Sequence, residues 1–509
     1  MPEKDTYTPT AEETLIHAII KEDRDTTSIQ SGFSWSDLIT FRNYKYGKQK
    51  LELTDKIKDK LKGIGVDTFA DNICNQIVSE SNGRITFTGW TCKNEAVKNW
   101  LDEFFKLAKL DRRQSDFHNE TLTDGNFAVA VRYDEDLERV KLYKEKWWDG
   151  ESGIYLHYGD DAELEYAVKE WSETELVTGE GNVKSEVRIK RRLVWFADSV
   201  YRWKSLSTES TKWVPAPLDS DESWPLPWLD KDGDPLGIPY VHFPNVYKTY
   251  GDYGVSELDG GVLGFQDMIN DAQLSISLSV RYTGAQIYWG TGVNLDGKKD
   301  NNSSDTKTLE IMPGSFIHSP NPEAQFGVLP AGDIDKQIAG YHLKLKRVSQ
   351  MTATPLHTIT GGDWPSGEAL LRAEMPAVNK AWTQIFQFAT SWIEVATKAL
   401  KMYNRFSGKS EIDYDITKGI IEAQFIDPER RDAISRSIMV HNLAANISKK
   451  EALRIMGYSE EKAQDIYDEI LEEGQDASEA IIAQMRAANP TGSTKESQGG
   501  NNNTNSDAQ

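Results

Sequence analysis

The stretch Val255-Ser-Glu-Leu-Asp-Gly-Gly-Val-Leu-Gly-Phe-Gln-Asp-Met-Ile-Asn-Asp-Ala-Gln-Leu-Ser-Ile-Ser-Leu-Ser-Val-Arg-Tyr282 decides the reading of this chain. Its apolar residues Leu258, Val262, Phe265, Ile269, Ala272 and Ile276 recur at intervals of 4, 3, 4, 3 and 4. At 3.6 residues per turn these positions form one stripe, so a helix of about seven turns is predicted over 255–282. The same rhythm returns at Ile334, Ile338, Tyr341, Leu345 and Val348, with Asp333 as N-cap and Pro355 as a stop, predicting a second long helix over 333–354. A third helix is expected from Gly367 to Tyr403, entered through Trp364-Pro-Ser366 with Ser366 as N-cap and kinked at Pro376. Between the first two helices lie β-type runs (Gln286-Ile-Tyr-Trp and Ser315-Phe-Ile-His) and a polar loop from Asp296 to Lys307, a small subdomain carried on two helical stalks.

The half of the chain before residue 254 has a different texture. Helix periodicity over 67–80 and about 95–110 is mixed with strand-like runs at 84–90, 126–133, 154–158, 187–196 and 199–204, an α+β body dominated by antiparallel sheet. After the third helix, Glu422 to Ile426 reads as a strand. Asp427-Pro-Glu429 then opens a helical region that continues through Ile447 to Leu453 and Ser459 to Leu471. Residues 491–509 contain no large aliphatic side chain and are expected to be a disordered tail.

The chain has 509 residues, more than one core organises, so two or more domains are expected. Its net charge of −22 argues against a protein that grips nucleic acid by neutralising phosphates over its whole surface. Two cysteines, Cys74 and Cys92, exclude a disulfide framework and a multi-cysteine zinc site, and read as buried free thiols. No segment reaches the roughly 20 apolar residues that cross a bilayer, and Met1-Pro-Glu-Lys-Asp5 lacks the basic and apolar regions of a secretory signal, so no membrane partner is expected.

Catalytic motifs fail on spacing. Ser407-Gly-Lys-Ser410 has Tyr403 where a phosphate loop needs its first glycine, and Gly63-Ile-Gly65 has Thr68 in place of a third glycine. Asp230-Lys-Asp-Gly-Asp-Pro235 starts like a calcium loop, but Pro235 replaces the turn glycine and Val241 the bidentate glutamate, which leaves an acidic turn. The eight histidines form no His-Glu-x-x-His, and no Gly-x-Ser-x-Gly elbow occurs. No catalytic residue, metal ligand or cofactor is expected, and the chain reads as a non-enzyme.

An ordered set of segments does carry information: Tyr253-Gly-Val-Ser-Glu-Leu-Asp-Gly-Gly through Gln273, Met312-Pro-Gly, Leu329-Pro, Ser349-Gln-Met-Thr-Ala-Thr-Pro355, Trp364-Pro-Ser-Gly-Glu-Ala-Leu370, and Ile447-Ser-Lys-Lys-Glu-Ala-Leu-Arg-Ile-Met-Gly-Tyr458. In this order they resemble the portal proteins of tailed bacteriophages, most nearly the SPP1-like portal family, over about residues 250–470. The resemblance implies an α+β portal fold with an α/β wing (1–254 and 367–426), stem helices (255–283 and 333–354), a β-containing clip (284–332), a tunnel loop (355–366) and an α-helical crown (427–490). It implies a homo-oligomeric ring, usually of twelve subunits, at one capsid vertex. Double-stranded DNA passes through such a ring during packaging and ejection, and the ring docks the terminase large subunit, a head–tail adaptor, scaffolding and major capsid proteins. The implied location is the virion, after assembly in the host cytoplasm. The alternatives are a DNA-packaging ATPase or nuclease subunit and a capsid protein without a channel.

Three sets of residues become candidates under that resemblance. His357, Thr358, Thr360, Gly361, Gly362, Asp363 and Trp364 would form the tunnel loop, where adjacent glycines permit a hinge and a plain helix connector is the alternative. Lys344, Lys346 and Arg347 would either approach DNA phosphates in the lumen or pair with carboxylates on a neighbouring subunit. Asp296, Lys298, Lys299 and Asp300 would contact terminase or adaptor from the clip. Residues 459–480 carry nine acids against one lysine, either a solvated crown face or a rim that keeps DNA from sticking.

Overall fold

The computed structural model describes residues 8–30, 35–49, 71–178, 184–205, 212–217, 223–247, 252–284, 288–291, 322–328, 333–361, 367–409, 412, 420–429, 448–455, 463–464, 466–469 and 471. The chain divides into two compact units, Met1–Pro428 and Glu429–Gln509. The fold is α+β.

The first unit opens with helices α1 (Ala11–Gln30), α2 (Trp35–Lys45) and α3 (Ile73–Gly83), then strand β1 (Phe87–Thr91). Helices α4 (Glu95–Leu107) and α5 (Leu110–Asp124) follow. Asn94 starts α4 by accepting from the amides of Ala96 and Val97. The helix expected over about 95–110 is α4, which ends at Leu107, and the unexpected α5 follows after Lys109, whose φ of +55° is left-handed. Helix α5 ends at Gly125, where φ is +82° and an added Cβ would lie 2.7 Å from the Ser256 amide nitrogen, so glycine is required.

Strands β2 (Asn126–Asp134) and β3 (Arg139–Glu145) form an antiparallel sheet with β10 (Tyr240–Pro244), in the order β10-β2-β3. A second antiparallel sheet contains β4 (Gly153–Tyr158), β5 (Leu164–Thr178), β6 (Lys184–Trp195), β7 (Ser199–Ser205) and β8 (Trp213–Pro215), with β9 (Leu226–Pro227) also on β7. The predicted strands 126–133, 154–158, 187–196 and 199–204 are present, while β3, β5 and β10 carry no clear sequence signal. The acidic turn Asp230–Asp234 closes on itself, Asp230 Oδ1 accepting from the amides of Asp232 and Asp234.

Helix α6 (Val262–Gly284), strands β11 (Tyr288–Thr291) and β12 (Gln325–Val328), and helix α7 (Ile334–Thr352) come next. The start predicted at 255 is corrected to Val262. Gly260 and Gly261 take φ of +73° and +92°, which breaks the helical run, and Leu258 is buried in the turn before it. Helix α7 starts on Asp333, which caps the Lys336 amide, and stops at left-handed Ala353 rather than at Pro355. The antiparallel pair β11–β12 joins Tyr288 to Val328, and the expected strand at 315–318 lies outside the described residues.

Helix α8 (Leu356–Thr360), helix α9 (Gly367–Phe406) and strand β13 (Glu422–Phe425) complete the unit. Helix α9 has 40 residues with Pro376 inside it, and the Ser366 cap lies outside the described residues. Strand β13 pairs antiparallel with β1, so the end of this unit is tied to its beginning. The core lies between α9 and the β10-β2-β3 sheet. Trp392 of α9 stacks on Phe87 at 4.4 Å and 4°, meets Phe243 edge-on at 5.2 Å, and donates its indole to His118 Nε2 at 3.0 Å. A second cluster gathers Trp148, Tyr155, Tyr166, Tyr201 and Trp203 under Ile20 of α1. In the second unit, helix α10 (Lys449–Ile455) opens as expected, the Ser448 hydroxyl accepting from the Glu451 amide. Most of 427–490 and all of 491–509 lie outside the described residues.

Candidate functional site

The α6–α7 pair is the part of the chain whose shape asks for a function, and a polar seam fixes it to the body. Gln266 and Asn270, one turn apart on α6, are both 1% exposed. Gln266 donates to the Asp71 carbonyl at 2.7 Å and accepts from the Cys74 amide at 3.2 Å. Asn270 Oδ1 accepts from the Asp71 amide at 2.9 Å, and Tyr341 of α7 donates its hydroxyl to the Asp71 carboxylate at 3.1 Å. Burial, then the Asp71 charge, pushes the Tyr341 phenol up to about 12. Burial and then the Asp267 charge do the same to the Cys74 thiol, also about 12, so this cysteine is an inert core group. Farther out, Ser279 donates to Gln337 Oε1 at 2.9 Å, which sets α6 and α7 antiparallel.

The C-terminal end of α7 meets α9 at a second seam. Lys380 donates to the Thr352 carbonyl at 2.8 Å, satisfying one of the last carbonyls of α7, and pairs with Glu257 at 2.5 Å. Gln384, fully buried, bonds both Glu257 and Asn245. The C-terminal end of α7 is thus tied to the first half of α9.

The candidate loop 355–366 is partly helical. His357, Thr358 and Thr360 lie on α8, with Thr358 and Thr360 exposed and Thr360 donating back to the Leu356 carbonyl at 3.0 Å. Gly361 ends that helix at φ +65°, exposed. Gly362, Asp363 and Trp364 lie outside the described residues, as do Asp296, Lys298, Lys299 and Asp300. His357 is not free on its helix: its Nε2 is 3.3 Å from Glu374 of α9. Glu374 in turn lies 3.4 Å from Arg84, which is 1% exposed, pairs with Glu80 at 2.7 Å, and donates to the Pro428 carbonyl at 3.4 Å. One buried guanidinium therefore joins α3, α9 and the last residue of this unit, with α8 attached through Glu374.

Of the predicted basic residues, Lys346 and Arg347 are exposed on one side of α7, whereas Lys344 is half-buried. Arg347 reaches Gln350 at 3.5 Å. The structure thus brings Lys346 and Arg347 together on α7, while His357 lies on α8 against Glu374. Sequence reasoning missed Arg84, Glu374, Gln266 and Asn270. Only the i, i+4 pairs, Glu80 with Arg84 and Gln266 with Asn270, left a signal, the second as polar residues on the apolar face of α6. Among the described residues no group of three or more His, Cys, Asp or Glu could hold a metal ion, and no helix is long and apolar enough to cross a membrane.

No protein-family model matches the sequence, and no curated protein matches it. Among the solved structures similar to the chain are ones from gene transfer agent particles. One, from the virion of the native particle, is 11% identical and covers 84% of this chain and 99% of its own, with a TM-score of 0.39. Another, from the neck of the empty particle computed with C6 symmetry, is 10% identical and covers 81% and 95%, with a TM-score of 0.40. A third, from the neck of the native particle computed with C12 symmetry, is 10% identical and covers 84% and 99%, with a TM-score of 0.36.

Proposed function

We propose that this chain is the subunit of a bacteriophage portal, a ring at one capsid vertex through which double-stranded DNA is packaged and later ejected. One observation carries this reading. A pair of long antiparallel helices, α6 and α7, brackets a strand pair at its outer end and is followed by a short helix and a 40-residue helix that returns to the body. That order of parts is the one the sequence resemblance implies. In this reading 1–254 and 367–426 form the wing, 262–284 and 334–352 the stem, the intervening segment the clip, 355–366 the tunnel loop and 427–490 the crown. The clip would meet the terminase and then the adaptor, and the protein would reside in the virion. The net charge of −22 then acts as a device for low affinity, since a wall that repels phosphate lets DNA slide.

Negative-stain microscopy of the purified chain tests the proposal. A ring with a central hole wide enough for duplex DNA is expected, together with no ATPase or nuclease activity. A monomer or a solid particle refutes the conduit, and robust ATP hydrolysis or DNA cleavage would favour a packaging enzyme instead.

A further inference from the structure

Helix α6 exposes Gly264, Asp267, Met268, Asp271 and Ser275 along one line, and α7 exposes Ala339, His342, Leu343, Lys346, Arg347 and Gln350 along another. Both lines follow the 3-4 spacing of a single helix face. The first is acidic and the second basic, and each has a large apolar side chain at its middle, Met268 at 49% and Leu343 at 59% exposure. Val262, Gln266 and Ile269 of α6 meet Val348 of α7 around one small cavity, and at 100° per residue both exposed lines lie on the far side of their helices from that contact. The helix pair therefore presents an acidic stripe on one side and a basic stripe on the other.

We infer that the acidic stripe of α6 docks on the basic stripe of α7 in a neighbouring copy of this chain, head to tail around a ring; this rests on the ring reading above. A surface that pairs with a different surface of its own copy gives a heterologous contact, which closes a ring when the rotation fits. Register supports the match. Asp71 bonds both Asn270 and Tyr341, and Ser279 bonds Gln337, so residue heights along the two antiparallel helices are fixed within one chain. A cyclic ring keeps equivalent atoms at one height along its axis. With the helix pair running along that axis, these bonds place Asp267 within a turn of Lys346 and Arg347 of the neighbouring copy, and Asp271 within a turn of His342. Met268 and Leu343 meet between them, where desolvation adds to the contact. Asp267 already accepts from the Tyr44 hydroxyl at 2.8 Å, which holds its carboxylate in place while leaving it exposed. Lys346 and Arg347 are thereby assigned to the neighbouring subunit rather than to DNA phosphates.

Charge reversal in the full-length chain tests this, read by native mass spectrometry and negative stain at low and high salt. Lys346→Glu with Arg347→Glu, and separately Asp267→Lys with Asp271→Lys, should each raise the concentration needed for half-assembly about tenfold or more. The four substitutions together should restore assembly, since the stripes have then exchanged sign. Asp271→Lys alone avoids disturbing Tyr44 and should show a smaller shift of the same sign, and an unchanged thermal transition in each variant verifies that the subunit is intact. Rings that persist unchanged in both double variants, or folded double variants that the fourfold change does not rescue, overturn the pairing while leaving the ring reading in place. A wild-type chain that stays monomeric at every concentration overturns both.

Discussion

Acidification should destabilise this fold through two histidines that the structure keeps neutral. His118 is fully buried, its Nδ1 donating to the Ile85 carbonyl at 3.3 Å and its Nε2 accepting from Trp392 at 3.0 Å. His242, also buried, donates from Nε2 to Asn126 at 3.0 Å and accepts the Tyr158 hydroxyl at 2.9 Å. Every ring nitrogen is used in the neutral form, and at His118 a second proton would face the Trp392 indole, which can only donate. Burial lowers both from 6.5 to about 3, with a smaller opposing contribution at His118 from the Ile85 carbonyl. The sign follows. Between pH 6.5 and about 3 the unfolded chain takes up the proton and the folded chain does not, so stability is complete above pH 6.5 and is lost as pH falls. At about 1.4 kcal/mol per pH unit, each histidine removes roughly 2 kcal/mol at pH 5. Asp124 acts in the other direction: burial, against the opposing pull of Arg42, raises its carboxyl from 3.8 to about 6, which returns roughly 1.4 kcal/mol at pH 5. A His118→Gln variant separates the terms, because glutamine can serve both partners without titrating. Urea unfolding of the two proteins at pH 7.5 and pH 5, at one ionic strength, should show the wild type losing about 2 kcal/mol more than the variant over that interval. Equal losses in the two proteins would refute the argument for His118.

Arg84→Ala should leave Glu80 and Glu374 buried without their cation and cost roughly 3–5 kcal/mol, read as a drop in thermal midpoint. Ala353→Gly should gain up to about 1 kcal/mol, because alanine sits there at φ +52° where glycine carries no strain; an unchanged or lower midpoint counts against it. Deleting Gly361 to Trp364 should abolish DNA packaging in an in vitro packaging assay while rings still assemble, and normal packaging would sink the assignment of this segment.

The parts of the fold that could be read from sequence are those whose apolar residues repeat over many turns. Helices α7 and α9 fall within a few residues of expectation because their buried faces are continuous stripes. Helix α5 escaped because its buried face includes Gln114, His118, Thr121 and Thr123, polar groups whose bonds to backbone are invisible in a hydropathy pattern. Strand β5 escaped for a related reason: Glu170 and Glu173 are matched across the sheet by Arg192 and Arg191, so a run that reads as solvated loop is a paired strand. The candidate site divides in the same way. Lys346 and Arg347 are adjacent in sequence and adjacent in space, whereas the Arg84 cluster assembles from positions 80, 84, 357 and 374 and is created only by the packing of α3, α8 and α9.

The pairing of β1 with β13 sets a schedule for synthesis. Thr88 donates its hydroxyl to the carbonyl of Gln424, 336 residues away, and Phe87 sits opposite Phe425. A nascent chain emerging from the ribosome exposes the β1 edge and the Trp90 surface until helix α9 and then β13 arrive, so the body cannot close during most of translation. Bringing such distant ends together costs little more than a medium-sized loop would, since closure entropy grows only with the logarithm of length, but the wait is long. A product cut short anywhere before residue 425 keeps an open strand edge beside an aromatic cluster, which is a template for aggregation. Completed chains are thereby distinguished from truncated ones before any of them meets another subunit.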